Sequence, residues 1–175
     1  KYYVSVLVDT NQISLPKTTI NPETTIGIDL GINNLLAIST GIIVDNPKYY
    51  RRNEERLAVL QRRQSRKQKG GRNKQKANYK IALLHERIAN QRKDLLHKLS
   101  TTLIRENQTI CIEDLDIAQL TKRKESIEDP LKSGHYLPNG QSQKSGLNKS
   151  ILDCGWGMFV SMLDYKSDWY GSNVI

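Results

Sequence analysis

Asp29 stands inside the apolar run Thr25-Ile26-Gly27-Ile28-Asp29-Leu30-Gly31. A lone carboxylate in an apolar strand is costly unless it is paired or holds a cation. Gly27 and Gly31 leave open space on its side of the strand. Glu113 repeats the theme at the end of Thr109-Ile110-Cys111-Ile112-Glu113, where it alternates with Ile112. If the two strands are adjacent and parallel, both carboxylates emerge near one sheet face. Two or three carboxylates around a shared point suit hard cations such as Mg²⁺. A pair of such ions about 3.5–4 Å apart activates water and stabilises the leaving oxygen in phosphodiester hydrolysis. Plainer readings exist for both residues: a turn-former near Asn33-Asn34 for Asp29, and strand-end solvation for Glu113-Asp114. Asp114 and Asp116 stay open as alternative ligands.

The second chemical feature is a block of charge. The chain carries 27 Lys plus Arg against 18 Asp plus Glu, a net charge of +9. Between Lys48 and Lys98 there are 17 basic and 4 acidic residues, an excess of 13, so the remainder is acidic. The densest part supplies the candidate nucleic-acid ligands Arg62, Arg63, Arg66, Lys67, Lys69, Arg72, Lys74 and Lys76. Such a block repels itself unless something anionic lies against it, and the phosphodiester backbone is the usual partner. A solvated basic loop is the plainer alternative.

Other chemistries find little support. His85, His97 and His135 lack metal-ligand spacing, and no nucleophile–histidine arrangement or Walker-type loop occurs. Cys111 and Cys154 form no CxxC pair, which fits a reducing compartment. No apolar run approaches the roughly 20 residues of a membrane span, and no signal peptide opens the chain. The basic block lacks the aromatic and leucine face of an interfacial helix. The expectation is therefore a cytoplasmic protein that uses no membrane.

The positioning elements follow from periodicity. Residues Tyr2 to Val8 read as a strand, followed by a polar linker with Pro16 and Pro22. Thr25 to Gly31, Leu35 to Ser39 and Gly41 to Asp45 read as a meander of three strands. Helices are expected over about Tyr50 to Gln68 and Asn78 to Glu106, with a hinge at Gly70-Gly71. The strand Thr109 to Glu113 comes next. Thr121 to Asn148 reads as a long loop, most flexible from Ser133 to Gly146. Ser150 is expected to cap a last helix with Leu152, Trp156, Phe159, Leu163 and Tyr170 on one stripe and Gly171 as its stop. Ser172 to Ile175 begins one more strand. This order is that of an α/β, ribonuclease H-like domain with a mixed sheet and a basic helical insertion.

The motifs carry a resemblance. Gly27-Ile28-Asp29-Leu30-Gly31-Ile32-Asn33-Asn34-Leu35 resembles the first RuvC motif of the OrfB (TnpB) proteins of insertion sequences. Leu96-His97-Lys98-Leu99-Ser100 followed by Ile112-Glu113-Asp114-Leu115 resembles their second RuvC region. Ser145 to Ile151, Gly155-Trp156 and Tyr165 to Gly171 resemble the helix that follows. The resemblance implies a transposase-associated, RNA-guided DNA endonuclease with a RuvC-like nuclease fold, and DNA and guide RNA as partners in a bacterial or archaeal cytoplasm. It implies that Asp29 and Glu113 are two of three catalytic carboxylates for Mg²⁺. Residues 1–22 would be the remnant of an N-terminal nucleic-acid-binding domain and linker. Residues 23–175 would be a partial nuclease domain, with 48–106 as its basic insertion and 121–148 as a flexible loop.

The family continues past this helix into a strand, a four-cysteine Zn²⁺ ribbon and a third catalytic Asp. No acid here matches that third motif, because Asp153, Asp164 and Asp168 lie on the preceding helix. The expectation is a truncated copy, incomplete at both ends, that holds metal weakly, is impaired in catalysis and still binds nucleic acid. Two other readings compete. One is a non-catalytic nucleic-acid-binding remnant. The other is an actin-like or sugar-kinase-type phosphotransferase, since Asp29-Leu30-Gly31 with Asn33 resembles the phosphate-binding opening of those proteins. They need a second glycine-rich Asp loop, and none occurs.

Overall fold

In the computed structural model, residues 4–8 and 15–175 are described. Three strands open the domain: β1 (Thr25–Leu30), β2 (Asn34–Ile38) and β3 (Ile43–Asp45). Two long helices follow, α1 (Tyr49–Ser65) and α2 (Arg72–Glu106). Then come β4 (Thr109–Ile112), α3 (Ile117–Thr121), and a small hairpin of β5 (Ile127–Glu128) and β6 (Tyr136–Leu137). The chain finishes with α4 (Gln141–Cys154), α5 (Trp156–Tyr170) and β7 (Asn173–Val174).

The main sheet has five strands in the order β3-β2-β1-β4-β7. The first three are antiparallel neighbours, while β4 runs parallel to both β1 and β7. It is therefore a mixed sheet in a mixed α/β fold. β1 shows why its sequence forms a central strand: Ile26, Ile28 and Leu30 are buried and alternate with Thr25, Gly27 and Asp29, which are not. That apolar side meets Leu96, Leu103 and Ile104 of α2 and Phe159 and Leu163 of α5. Each fully buried Leu or Ile contributes about 1.5–3 kcal/mol relative to exposure, so this layer fixes the sheet against the two helices.

α2 belongs to two layers. Its C-terminal half packs into the sheet core, whereas Leu84 and Ile88 form a separate small cluster with Leu57 of α1. At 1.5 Å per residue, its 35 residues span roughly 52 Å. The α1–α2 hairpin is therefore an arm. Its turn, with Gly70 at φ +81, is the hinge expected at Gly70-Gly71.

Several elements differ from the expectations. Tyr2 and Tyr3 lie outside the described residues. Val4 to Val8 carry no strand and are exposed, because β-branched residues form a strand only when a sheet edge pairs with them. α2 begins at Arg72, ahead of Asn78, since its polar first turns need no apolar stripe to remain helical. The segment expected as loop up to Asn148 holds β5, β6 and the first half of α4. The expected single last helix is two helices. α4 starts at Gln141 instead of Ser150 and stops at Gly155, whose φ of +73 is left-handed. A Cβ on Gly155 would lie 2.8 Å from Arg92 Cδ, so both its conformation and the close approach of α2 require glycine. The break rotates the stripe: Trp156, Phe159 and Leu163 are buried, whereas Leu152 and Tyr170 are exposed. The strand expected from Ser172 is present as β7, paired to β4.

Candidate metal and nucleic-acid site

β1 and β4 run in parallel register, pairing Gly27 with Cys111 and Ile28 with Ile112. Asp29 is the next residue on β1 and Glu113 immediately follows the end of β4, so the register leads both to the carboxyl end of the ladder. Alternation puts both on the face opposite the helices. The adjacency and parallel direction that the sequence reading required are therefore present. Both side chains are exposed, and neither makes a hydrogen bond or ion pair with another described residue.

The two carboxylates line an open depression of about 540 Å³. Its floor is made of small groups: Gly27, Ala37, Ser39 and Cys111. Gly27 N–H donates to Ser39 Oγ at 3.0 Å, and Ser39 N–H donates to the Gly27 carbonyl at 2.9 Å. These bonds hold the β1–β2 end flat beneath Asp29. Larger side chains at these positions would fill the space above the strand ends.

The donor set suits Mg²⁺, which binds through one or two carboxylates and completes its shell with water and substrate phosphate oxygens. Asp29 and Glu113 would hold it. Among the described residues no group of three or more His, Cys, Asp or Glu side chains gathers anywhere, so no third ligand stands beside these two. Of the open alternatives, Asp116 is occupied as the cap of α3, accepting from Gln119 N–H at 2.9 Å. Asp114 borders a second, more enclosed cavity that Glu113 shares.

The basic candidates lie elsewhere. Arg62 and Arg63 sit in the last turn of α1; Arg66, Lys67 and Lys69 follow in the connection; Arg72, Lys74 and Lys76 open α2. All are exposed except half-buried Lys74, and none forms an ion pair with a described residue. They gather at the tip of the arm and do not join the carboxylates. Arg72 is roughly 36 Å along the helix axis from Leu96, where α2 enters the sheet core.

Buried charges that the sequence reading did not single out lock the base of the arm. Asp153 on α4 is almost wholly buried and accepts Tyr50 N–H at 2.9 Å and Arg51 N–H at 3.3 Å. It thereby supplies negative charge to the N-terminus of α1, where the backbone has unpaired donors. Arg92 of α2 completes the cluster, its Nη2 2.9 Å from Asp153 Oδ1. Arg51 Nη2 donates to the Gly146 carbonyl at 2.6 Å, and Glu54 pairs with both Arg51 and Lys149. Those two partners hold the Glu54 carboxyl below its ordinary value. The available signal was Asp153 itself, an acid inside Ile151-Leu152-Asp153-Cys154.

Lys166 is a second such case, 4% exposed, donating to the His97 carbonyl, Ser100 Oγ and Thr101 Oγ1 at 2.7–2.8 Å. Burial pushes its ammonium pKa down. His97 is half-buried beside Tyr165, as a packing residue. Burial pushes the Cys154 thiol up to about 11, so it is no nucleophile at neutral pH.

Residues 3–124 match the OrfB_IS605 family, described as "Probable transposase". The chain belongs to the OrfB_IS605 family. Among its relatives is a "Putative RNA-guided DNA endonuclease" of Streptomyces pristinaespiralis, 41% identical across the whole chain. Another is "Putative RNA-guided DNA endonuclease InsQ" of Escherichia coli, 35% identical, also across the whole chain. The chain spans 37% and 41% of the length of these two family members. A solved structure, the Cas12f1–sgRNA–target DNA complex, superposes with a TM-score of 0.47 and 17% identity. That likeness covers 91% of this chain and 29% of the other. Among the described residues no helix is long and apolar enough to cross a membrane.

Proposed function

We propose that these residues form the part of a ribonuclease H-like, RuvC-like nuclease domain that supplies two of its metal-binding carboxylates. The activity is Mg²⁺-dependent hydrolysis of DNA phosphodiesters, guided by RNA, as the names of the related proteins suggest. One observation carries the reading: the parallel β1–β4 register, which sets Asp29 beside Glu113 on an open face.

Asp29 and Glu113 present hard oxygen ligands with no competing partner among the described residues. The small floor of Gly27, Ala37 and Ser39 leaves room for a sugar-phosphate backbone above them. Bound Mg²⁺ supplies charge neutralisation at the phosphate and lowers the pKa of the attacking water. The arm does a different task. Its tip neutralises phosphates through counterion release, away from the carboxylates. It anchors the polyanion remotely and does not line the reacting centre. With no third carboxylate beside the pair among the described residues, these residues alone would retain the metal weakly.

The test is cleavage of end-labelled single-stranded DNA in Mg²⁺ against the same reaction in chelator. The reading expects slow, Mg²⁺-dependent cleavage that Asp29→Ala removes while DNA binding persists. Cleavage that survives both Asp29→Ala and Glu113→Ala would assign the chemistry to other residues.

A further inference from the structure

The α1–α2 arm carries a groove of about 570 Å³ along one flank. Val59 and Leu60 of α1 and Leu83 and Leu84 of α2 form its apolar part. Arg56, Arg63, Lys80 and Arg87 line it as well. The two helices contribute the same pattern. A cation, an apolar pair and a second cation fall at i, i+3, i+4 and i+7 in each, which places them on one helix face. The two cations of a helix are roughly 10 Å apart along its axis, and packed helices lie about 8–10 Å apart. The four charges therefore frame a small apolar floor.

No acid lines this groove. All four cations are exposed, and none forms an ion pair with a described residue. The base of the arm differs: there Arg51 and Lys149 pair with Glu54, and Arg92 pairs with Asp153. Uncompensated charges this close repel one another unless an anion lies between them.

The floor restricts the anion. Its aliphatic side chains offer no hydrogen bond, and no aromatic ring lines the groove, so base stacking has no platform. The sugar is then the part of a nucleic acid that meets the floor. A ribose 2′-hydroxyl pressed on leucine loses its water without gaining a partner. Deoxyribose carries no such group. Arg63 also belongs to the tip cluster, so the groove opens toward residues 62–76, which include no large apolar side chain. An acidic protein helix loses its apolar anchor there, whereas a sugar–phosphate backbone continues.

We infer that this groove holds one strand of DNA, with deoxyriboses on the leucine floor and phosphates at Arg56, Arg63, Lys80 and Arg87. The groove thus favours DNA over RNA by excluding the 2′-hydroxyl, and it reads no bases. The assignment rests on the reading of the arm as a nucleic-acid-binding element and is independent of the role of Asp29 and Glu113.

Fluorescence anisotropy with the full chain tests it, in chelator to prevent cleavage. The probes are short oligomers of deoxyuridine and of uridine, equal in length and differing only in the 2′-hydroxyl. The deoxyuridine oligomer is expected to bind more tightly by about fivefold or more, the lower end of the effect of one unpaired hydroxyl. Leu83→Asn gives the floor a hydrogen-bonding group and should bring the two affinities together. Val59→Thr, at a more exposed position, should act in the same direction. Arg56→Gln combined with Arg87→Gln should lower the slope of log affinity against log salt by about 1.4, two phosphate contacts at about 0.7 each. Replacing Arg66, Lys67 and Lys69 with Gln should lower the slope and leave the preference for DNA unchanged. A preference that neither floor variant alters would overturn the groove assignment and leave the tip reading intact. So would a slope that the Arg56 and Arg87 replacements leave alone. Absence of salt-dependent binding to both oligomers would overturn the groove and the arm reading together.

Discussion

Arg92 Nη2 lies 2.9 Å from Asp153 Oδ1, and the same carboxylate accepts the first backbone N–H groups of α1. One buried acid thus ties three helices, α1, α2 and α4, at the root of the basic arm. Removing one partner of a buried ion pair leaves the other charge uncompensated and costs about 3–5 kcal/mol. Asp153→Ala is expected to lose that much stability in urea unfolding followed by circular dichroism. A loss below about 1 kcal/mol would mean that the arm is held by its apolar contacts alone.

Gly155 offers a second, backbone test of the same junction. A left-handed conformation costs a residue with a side chain roughly 1–2 kcal/mol, and the new Cβ would crowd Arg92 Cδ and Leu96 Cδ1. Gly155→Ala is expected to lower stability by at least that amount in the same urea experiment. An unchanged midpoint would contradict the close packing of α2 against the α4–α5 break.

His97 gives the fold a pH dependence with a defined sign. Burial and the nearby Lys166 and Lys93 ammonium groups push its pKa below 6.5, against a smaller opposite effect of Asp94. The unfolded chain then protonates this imidazole at higher pH than the folded one. Stability is present above pH 6.5 and is lost as pH falls from there through the lowered folded-state value. Melting temperatures of wild type and His97→Gln, compared across this window, are expected to converge as the pH falls. Parallel curves would show that His97 titrates alike in both states.

The arm predicts a salt effect. Each phosphate contact to single-stranded DNA contributes about 0.7 to the slope of log affinity against log salt. Replacing Arg66, Lys67 and Lys69 together with Gln is expected to reduce that slope by about 2, measured by fluorescence anisotropy. Thermal stability should stay unchanged, because these side chains are exposed and unpaired within the described chain. An unaltered slope would place the phosphate contacts on another surface.

What the sequence made legible was whatever its own periodicity decides. The Ile26-Ile28-Leu30 alternation located β1, the acids at Asp29 and Glu113 stood out against apolar neighbours, and the charge run marked the arm. Their adjacency required the β1–β4 pairing, which topology suggested and the register now shows. The first half of α4 was illegible because nothing local makes it helical. Tertiary contacts hold it, with Asn148 Nδ2 on the Thr121 carbonyl, Lys144 Nζ on the Leu120 carbonyl and Arg51 on Gly146. Val4 to Val8 failed in the opposite sense, since strand propensity without a neighbouring strand forms no sheet. Asp153 and Lys166 were missed because burial of a charge is settled by partners distant in the chain. The distance between the arm tip and the carboxylates depends on a helix length that extends past its apolar stripe.

The central claim is that Asp29 and Glu113 together hold a divalent cation, and Mn²⁺ tests it most directly. Bound Mn²⁺ disappears from the sharp electron paramagnetic resonance spectrum of the free ion, so the remaining signal counts the unbound metal. With a short single-stranded DNA present, wild type is expected to take up Mn²⁺ in excess of DNA alone. Asp29→Asn and Glu113→Gln should each abolish the excess while DNA binding at the arm continues. Equal uptake by wild type and the double variant would contradict the claim.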